Sequence, residues 1–305
     1  MQPVPRRTVL AGLVAATFTL PAARRSGAQG ATPTGGSALN YPEVQVTVTD
    51  QALTASPTTV PAGLVLLSVT NQTSDQISAG VLGPPPGQSM EDFMTAAQAT
   101  PSSNDEMPSF LYQATIPGGP GAAAPGKTSQ AVINLTPGQW VVFSEGNQQP
   151  AMLTASGGTP AAQAPPSTTV TVTEQEFAFR GLDQPLPAGP QFWEVVNRGQ
   201  QPHMLILGKV PAGTTLQQVM DVINLNLPEN ATPPPGMLQD KDVDFTIGGV
   251  LMQSTGQTVY PRLDLAPGRY VALCFVPDPA TGQPHASEGM VSMFDVGSAG
   301  ATPTS

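Results

Sequence analysis

Short apolar runs alternate with polar and turn-forming residues along most of the chain. Val170, Val172 and Thr173 begin an alternating segment, and Gln191–Val196 is aromatic and β-branched. Met204–Leu207 and Arg269–Val276 are apolar runs of the buried-strand kind, and Met290–Val296 is a further strand segment. This pattern predicts strands. Pro187-Ala-Gly189 and Ala266-Pro-Gly268 supply turns between them. One segment follows a different period. Thr215 and Gln218 stand in capping-box positions, with Leu216, Val219, Met220 and Ile223 at helical spacing, so a short helix is predicted there. Ser89–Ala97 is its counterpart earlier in the chain.

The strand pattern occurs twice. Val46-Thr-Val-Thr-Asp-Gln51 matches Val170-Thr-Val-Thr-Glu-Gln175, and Asn71 matches Asn197 at the end of an apolar run. Gly118-Gly119 matches Gly248-Gly249, and Leu135-Thr-Pro-Gly138 matches Leu265-Ala-Pro-Gly268, both 130 positions apart. The chain is an internal duplication. With seven or eight short strands in each block of about 125 residues, the pattern predicts an all-β fold of two tandem Greek-key β-sandwiches, each with a short inserted helix. The blocks span 40–155 and 169–297, with low-complexity linkers at 29–39 and 156–168 and a tail at 298–305.

Composition supports this reading and narrows the function. Of 305 residues, 35 are Pro and 31 Gly, while only 10% are charged, which suits strands and turns rather than helix bundles. Residues 1–28 read as a secretory signal: Arg6-Arg7 leads into an apolar run from Val9 to Pro21, and Ser26-Gly27-Ala28 gives a small-x-small cleavage site. The arginine pair points to the twin-arginine export route, and the run is too short for a membrane span. An exported protein of the periplasm, cell envelope or extracellular space is expected, with no membrane span in the mature chain. Four of the eleven basic residues and none of the 21 acidic ones fall in that segment, so the remainder carries a formal net charge of −14. Such a surface excludes nucleic acid as a partner and favours, weakly, a basic one.

One Cys and two His are the whole stock of strong soft and borderline metal donors. His203 precedes the Met204–Leu207 strand, Cys274 ends the Arg269 strand, His285 follows after ten intervening residues, and Met290 after four more. Each alone has an ordinary role: a buried thiol, a strand-end imidazole, a solvated loop imidazole, a core thioether. Together they form a set suited to one copper ion. Thiolate and thioether favour Cu(I), imidazole accepts both oxidation states, and a His₂Cys plane with a weak axial Met is the blue-copper arrangement.

The second block resembles the cupredoxin family, the plastocyanin- and azurin-like type 1 copper proteins. The resemblance rests on Pro202-His203, on Pro267-Gly-Arg-Tyr-Val-Ala-Leu-Cys274, and on Pro284-His285-Ala-Ser-Glu-Gly-Met290. It implies a cupredoxin sandwich holding one type 1 copper through His203, Cys274, His285 and Met290. It also implies transfer of single electrons to a protein redox partner, through an exposed imidazole edge. Ten residues between Cys and His is longer than the family's usual loop. In the first block, Ile77 and Ser144 fall where His203 and Cys274 stand, so that block resembles a degenerate cupredoxin without metal ligands. No histidines remain for a second, catalytic copper, so no enzyme is expected. A copper chaperone or store, and a metal-free interaction module, stay open beside the electron carrier.

Overall fold

The computed structural model describes residues 40–99, 107–145, 148–157, 163–224, 234 and 237–297. Residues 1–28, for which a secretory signal is expected, the 29–39 linker and the 298–305 tail lie outside these residues, as does part of the central linker. The first repeat contributes β1 (Glu43–Val48), β2 (Leu53–Ser56), β3 (Thr59–Pro61), β4 (Gly63–Asn71), β5 (Ala79–Gly83), α1 (Met90–Ala99), α2 (Ser109–Gln113), β6 (Thr115–Pro120), β7 (Thr128–Leu135), β8 (Gly138–Ser144) and β9 (Ala151–Ser156). The second contributes β10 (Val170–Gln175), β11 (Ala178–Arg180), β12 (Gly189–Asn197), β13 (His203–Val210), α3 (Leu216–Asn224), β14 (Gly249–Gln253), β15 (Thr258–Leu265), β16 (Gly268–Leu273) and β17 (Val291–Val296).

The fold is all-β, and its two sheets run through both repeats. One sheet has the order β11-β10-β12-β15-β7-β4-β1-β2 and the other β17-β16-β13-β14-β6-β5-β8-β9-β3. Each repeat places strands in both sheets and so is a sandwich in itself, joined to the other edge to edge by equivalent strands. At β15/β7 Pro261 pairs antiparallel with Ala131, and at β14/β6 Val250 pairs with Pro120. Both pairs match a residue with its own counterpart 130 positions away. An internal two-fold axis therefore passes through both junctions, as in an isologous dimer interface. The joint covers two strand edges that would otherwise be free to pair with other molecules. Buried apolar residues from Val44 to Val296 form one contiguous cluster across the junction. The linker residues 163–168 form no strand and are mostly exposed. They are tied to the first repeat where Tyr41 Oη donates to Ala164 O at 2.7 Å.

The duplication is visible in detail. Trp140 Nε1–H donates to Thr136 O at 3.1 Å, and Tyr270 O–H donates to Ala266 O at 2.7 Å. These are the same corner, 130 residues apart, closed by two different aromatic residues. Each puts an apolar ring in the core while its polar end reaches a turn carbonyl.

The helices match their signals in part. The capping box forms: Thr215 N–H donates to Gln218 Oε1 at 2.9 Å, and Gln218 N–H to Thr215 Oγ1 at 3.2 Å. Val219, with Met220 and Ile223 beside it, packs α3 onto an outer cluster with Val210, Val271, Leu273, Ala286 and Val291. Leu216, placed on the apolar face by its spacing, is instead exposed. In the first repeat one inserted helix is expected, and the described residues hold two. Ser89 Oγ caps α1 by accepting from Asp92 N–H at 3.1 Å, whereas the extra helix α2 has no side-chain cap. Without a cap signal or enough length for a period, α2 is not legible in sequence.

Candidate metal centre

Strand β13 opens with His203, Cys274 directly follows β16, and Met290 directly precedes β17. β13 and β17 flank β16, so the topology alone brings three of the four residues to one end of one sheet. The loop to His203 is set by Asn197, which is fully buried. Its Nδ2 donates to Gln201 O at 2.8 Å and Gln253 O at 3.0 Å, and its Oδ1 accepts from Gly199 N–H at 2.9 Å.

The ten residues between Cys274 and His285 do not form an open loop. They fold back as a tongue that pairs with itself. His285 N–H donates to Val276 O at 2.9 Å, Asp278 N–H to Gln283 O at 2.8 Å, and Ala286 N–H to Cys274 O at 2.7 Å. Asp278 Oδ1 accepts from Ala280 N–H at 3.1 Å and so fixes the tip. His285 is delivered across the base of this hairpin to the side of Cys274. A tight turn follows: Met290 N–H donates to His285 O at 2.8 Å and Cys274 N–H to Met290 O at 3.3 Å.

The side chains converge. His203 Nδ1 and His285 Nδ1 are 3.0 Å apart, and Cys274 Sγ lies 3.9 Å from the first and 3.5 Å from the second. A point in their plane sits about 2.0 Å from all three atoms, a metal–imidazole bond length and slightly short of a metal–thiolate one. All three residues, and Met290, are 0% exposed.

The surrounding hydrogen bonds orient these donors. Gln201 Nε2 donates to Asp278 Oδ1 at 3.1 Å, which turns Gln201 Oε1 toward His285 Nε2 at 3.0 Å. His285 must then carry its proton on Nε2 and leave Nδ1 bare. His203 Nε2 has no hydrogen-bond partner, with Glu176 Oε1 at 3.5 Å. If His203 is protonated on Nε2, it faces Glu176 but sets two bare Nδ1 lone pairs against each other. If it is protonated on Nδ1, a bare Nε2 faces the carboxylate. A cation between the Nδ1 atoms resolves both conflicts, so the donor set fits a single metal ion. Soft sulfur with two imidazoles is the set copper takes.

Charge on the free site is suppressed. Burial, and then the adjacent His285, lower His203 to about 4, and burial also lowers His285. Burial pushes the Cys274 thiol far up. Binding as thiolate therefore releases a proton. Burial alone would raise Glu176, but the backbone N–H groups of Gln201 and Gln200 hold its carboxyl below the ordinary range.

One expectation is overturned. The imidazole edge implied by the resemblance is not exposed. The tongue and Gln201 cover His285, and Phe177 packs edge-on against it with ring centroids 5.2 Å apart. Phe177 adopts a left-handed φ of 55°, unusual for an aromatic residue, at the turn between β10 and β11.

No family model matches this chain, and no curated protein matches it in sequence. Solved structures similar to it include a dithionite-reduced auracyanin from Roseiflexus castenholzii, at 23% identity over 43% of this chain and 98% of that one, TM-score 0.28. Auracyanin B is similar at 22% identity over 46% and 96%, TM-score 0.29. A copper nitrite reductase from Nitrosomonas europaea is similar at 12% identity over 83% and 94%, TM-score 0.24. These are distant likenesses, and the metal centre rests on the donor distances above.

Proposed function

We propose that this chain is an exported one-electron carrier with one type 1 copper in its second repeat, held by His203, Cys274 and His285 with Met290 as the axial ligand. The observation that carries this reading is the convergence of both Nδ1 atoms and Sγ around one buried point. These residues are also the entire His and Cys complement of the sequence. Bound copper would alternate between two oxidation states, taking up and giving up one electron. The chain's own part is to hold the donors rigidly, so that little rearranges when the charge changes. With both histidines committed to one centre, a second, catalytic copper has no imidazole, and the reading is a carrier rather than an oxidase or reductase. The half-buried Phe177 ring takes the place of an imidazole edge as the route to a protein redox partner. The net charge of −14 outside the signal segment favours a basic one.

Complete burial of both imidazoles also suits a copper store or chaperone. Titration of the purified mature protein with Cu(II), followed by visible absorption and electron spin resonance, separates these readings. The carrier gives an intense thiolate-to-copper band at one copper per chain, lost in Cys274→Ser. A colourless protein that binds Cu(I) and yields it to a chelator supports the store. A protein that binds no copper supports the metal-free module and ends the carrier reading.

A further inference from the structure

We propose that Glu174 and Gln253 form a proton-holding pair, in which Glu174 is a neutral carboxylic acid whose ionisation is linked to electron uptake at the metal centre. The link rests on the copper reading above; the proton site does not.

Glu174 lies on the inner face of β10 with Val170 and Val172, and both Glu174 and Gln253 are 0% exposed. Gln253 Nε2 donates to Glu174 Oε2 at 2.6 Å. The two remaining oxygens, Glu174 Oε1 and Gln253 Oε1, are buried and have no hydrogen-bond partner. With an ionised carboxylate both are buried acceptors with no donor bonded to them, which is costly. A single proton on Glu174 Oε1 supplies the missing donor. The neutral acid keeps the bond from Gln253 Nε2 and gains an O–H that can donate. Burial, opposed by the Gln253 hydrogen bond, raises Glu174 to about 7, consistent with this geometry.

The pair belongs to the metal-bearing repeat alone. By the repeat alignment, Asp50 corresponds to Glu174 and is exposed, and Ala123 corresponds to Gln253. It also adjoins the site: Gln253 faces His203 across β13 and β14, and negative charge on Glu174 raises the Cys274 thiol. The other titratable or charged groups around it lie on neighbouring elements. Arg180 on β11 and Arg198 after β12 are exposed, Glu194 on β12 and Glu176 beyond β10 are half-buried, and His203 heads β13.

The balance is simple. One electron enters the site from a one-electron protein donor, and one proton passes from water to the Glu174 carboxylate. Net charge beside Cys274 Sγ is unchanged. An ionised Glu174 favours the oxidised site, so the reduction potential falls as pH rises. Full coupling changes the electron-binding constant tenfold per pH unit, about 59 mV.

Two measurements on the mature protein and Glu174→Gln test this. Infrared difference spectra of the metal-free protein should show protonated-carboxyl absorption that persists well above the pH at which surface carboxyls ionise. Glu145, which burial also raises to about 7, contributes one part of it, and the other part is lost in Glu174→Gln. Identical spectra of parent and variant in that range overturn the proton site. With copper bound, the potential should fall with pH near neutrality in the parent and lose that slope in Glu174→Gln. Equal slopes overturn the coupling. Failure to bind copper would defeat the carrier reading, and the coupling with it, while the infrared result would still decide the proton.

Discussion

The two repeats present equivalent strand ends, at opposite ends of one sheet, with opposite outcomes. In the second, Asn197 clamps the loop, His203 pairs with Gln253, and Cys274 meets His285 over the tongue. In the first, Asn71 makes the equivalent clamp, donating to Asp75 O at 2.7 Å and Ala123 O at 2.8 Å, and Ile77 bridges to Ala123. Ser144, the counterpart of Cys274, donates to Gln148 Oε1 at 2.7 Å, and Gln148 Nε2 donates to Thr49 O at 2.9 Å. There the polar groups close on the protein. In the second repeat the donors face a shared point and leave His203 Nε2 without a hydrogen-bond partner. The loop clamp and the metal chemistry are thus separable: the first repeat keeps the scaffold and lacks the ligands.

The largest expected effect erases this difference. His203→Ile with Cys274→Ser gives the second repeat the residues of the first. Copper affinity should fall by more than about 100-fold, since altering the orienting groups alone costs 10- to 100-fold. Circular dichroism should show the fold retained; collapse of the sandwich would mean the ligands are structural. Next is Gln201→Leu, which frees the His285 tautomer and removes one of the donors to Asp278. Copper affinity should drop about 10- to 100-fold by competition with a chelator. An unchanged value would place tautomer control elsewhere.

Gly199→Ala tests the packing around His203. A Cβ there would lie 2.6 Å from His203 Nε2 and 2.5 Å from Glu176 Oε1. A loss of about 1–3 kcal/mol in denaturant unfolding is expected, together with an altered spin-resonance spectrum of the copper form. The smallest effect concerns the hold of one repeat on the other. Tyr112, on the unforeseen helix α2, donates its hydroxyl to Pro277 O of the tongue at 2.8 Å. Tyr112→Phe should cost about 1 kcal/mol and speed hydrogen exchange in the tongue, with the ligands untouched.

Metal-free stability should also depend on pH through Glu174. Its folded value is raised to about 7, so the folded state favours the protonated form. That contribution is intact below the ordinary glutamate range and is lost as pH rises through about 7. Glu174→Gln should flatten this part of the unfolding profile.

The convergence of His203, Cys274 and His285 was legible because these residues are scarce: one Cys and two His, all in one repeat, two of them at the ends of strands whose apolar runs are plain. The duplication gave Ile77 and Ser144 by counting alone. The merger of the repeats was not legible, since pairing Pro261 with Ala131 depends on two strand edges meeting across the fold. The tongue left a trace in Pro277-Asp278-Pro279 and Thr281-Gly282, which is turn chemistry, but its self-pairing is a matter of backbone geometry. Glu174 was within reach: the alternation that buries Val170 and Val172 carries it inward as well. Burial of His285 was not, because Gln201 and Phe177 come from distant segments.

The central claim is one copper at one place. Anomalous diffraction at the copper edge, from crystals of the copper-loaded mature protein, tests it most directly. A single peak is expected, bonded to Cys274 Sγ and the Nδ1 atoms of His203 and His285, with nothing near Ser144. A peak elsewhere, or none at those three atoms, would contradict it.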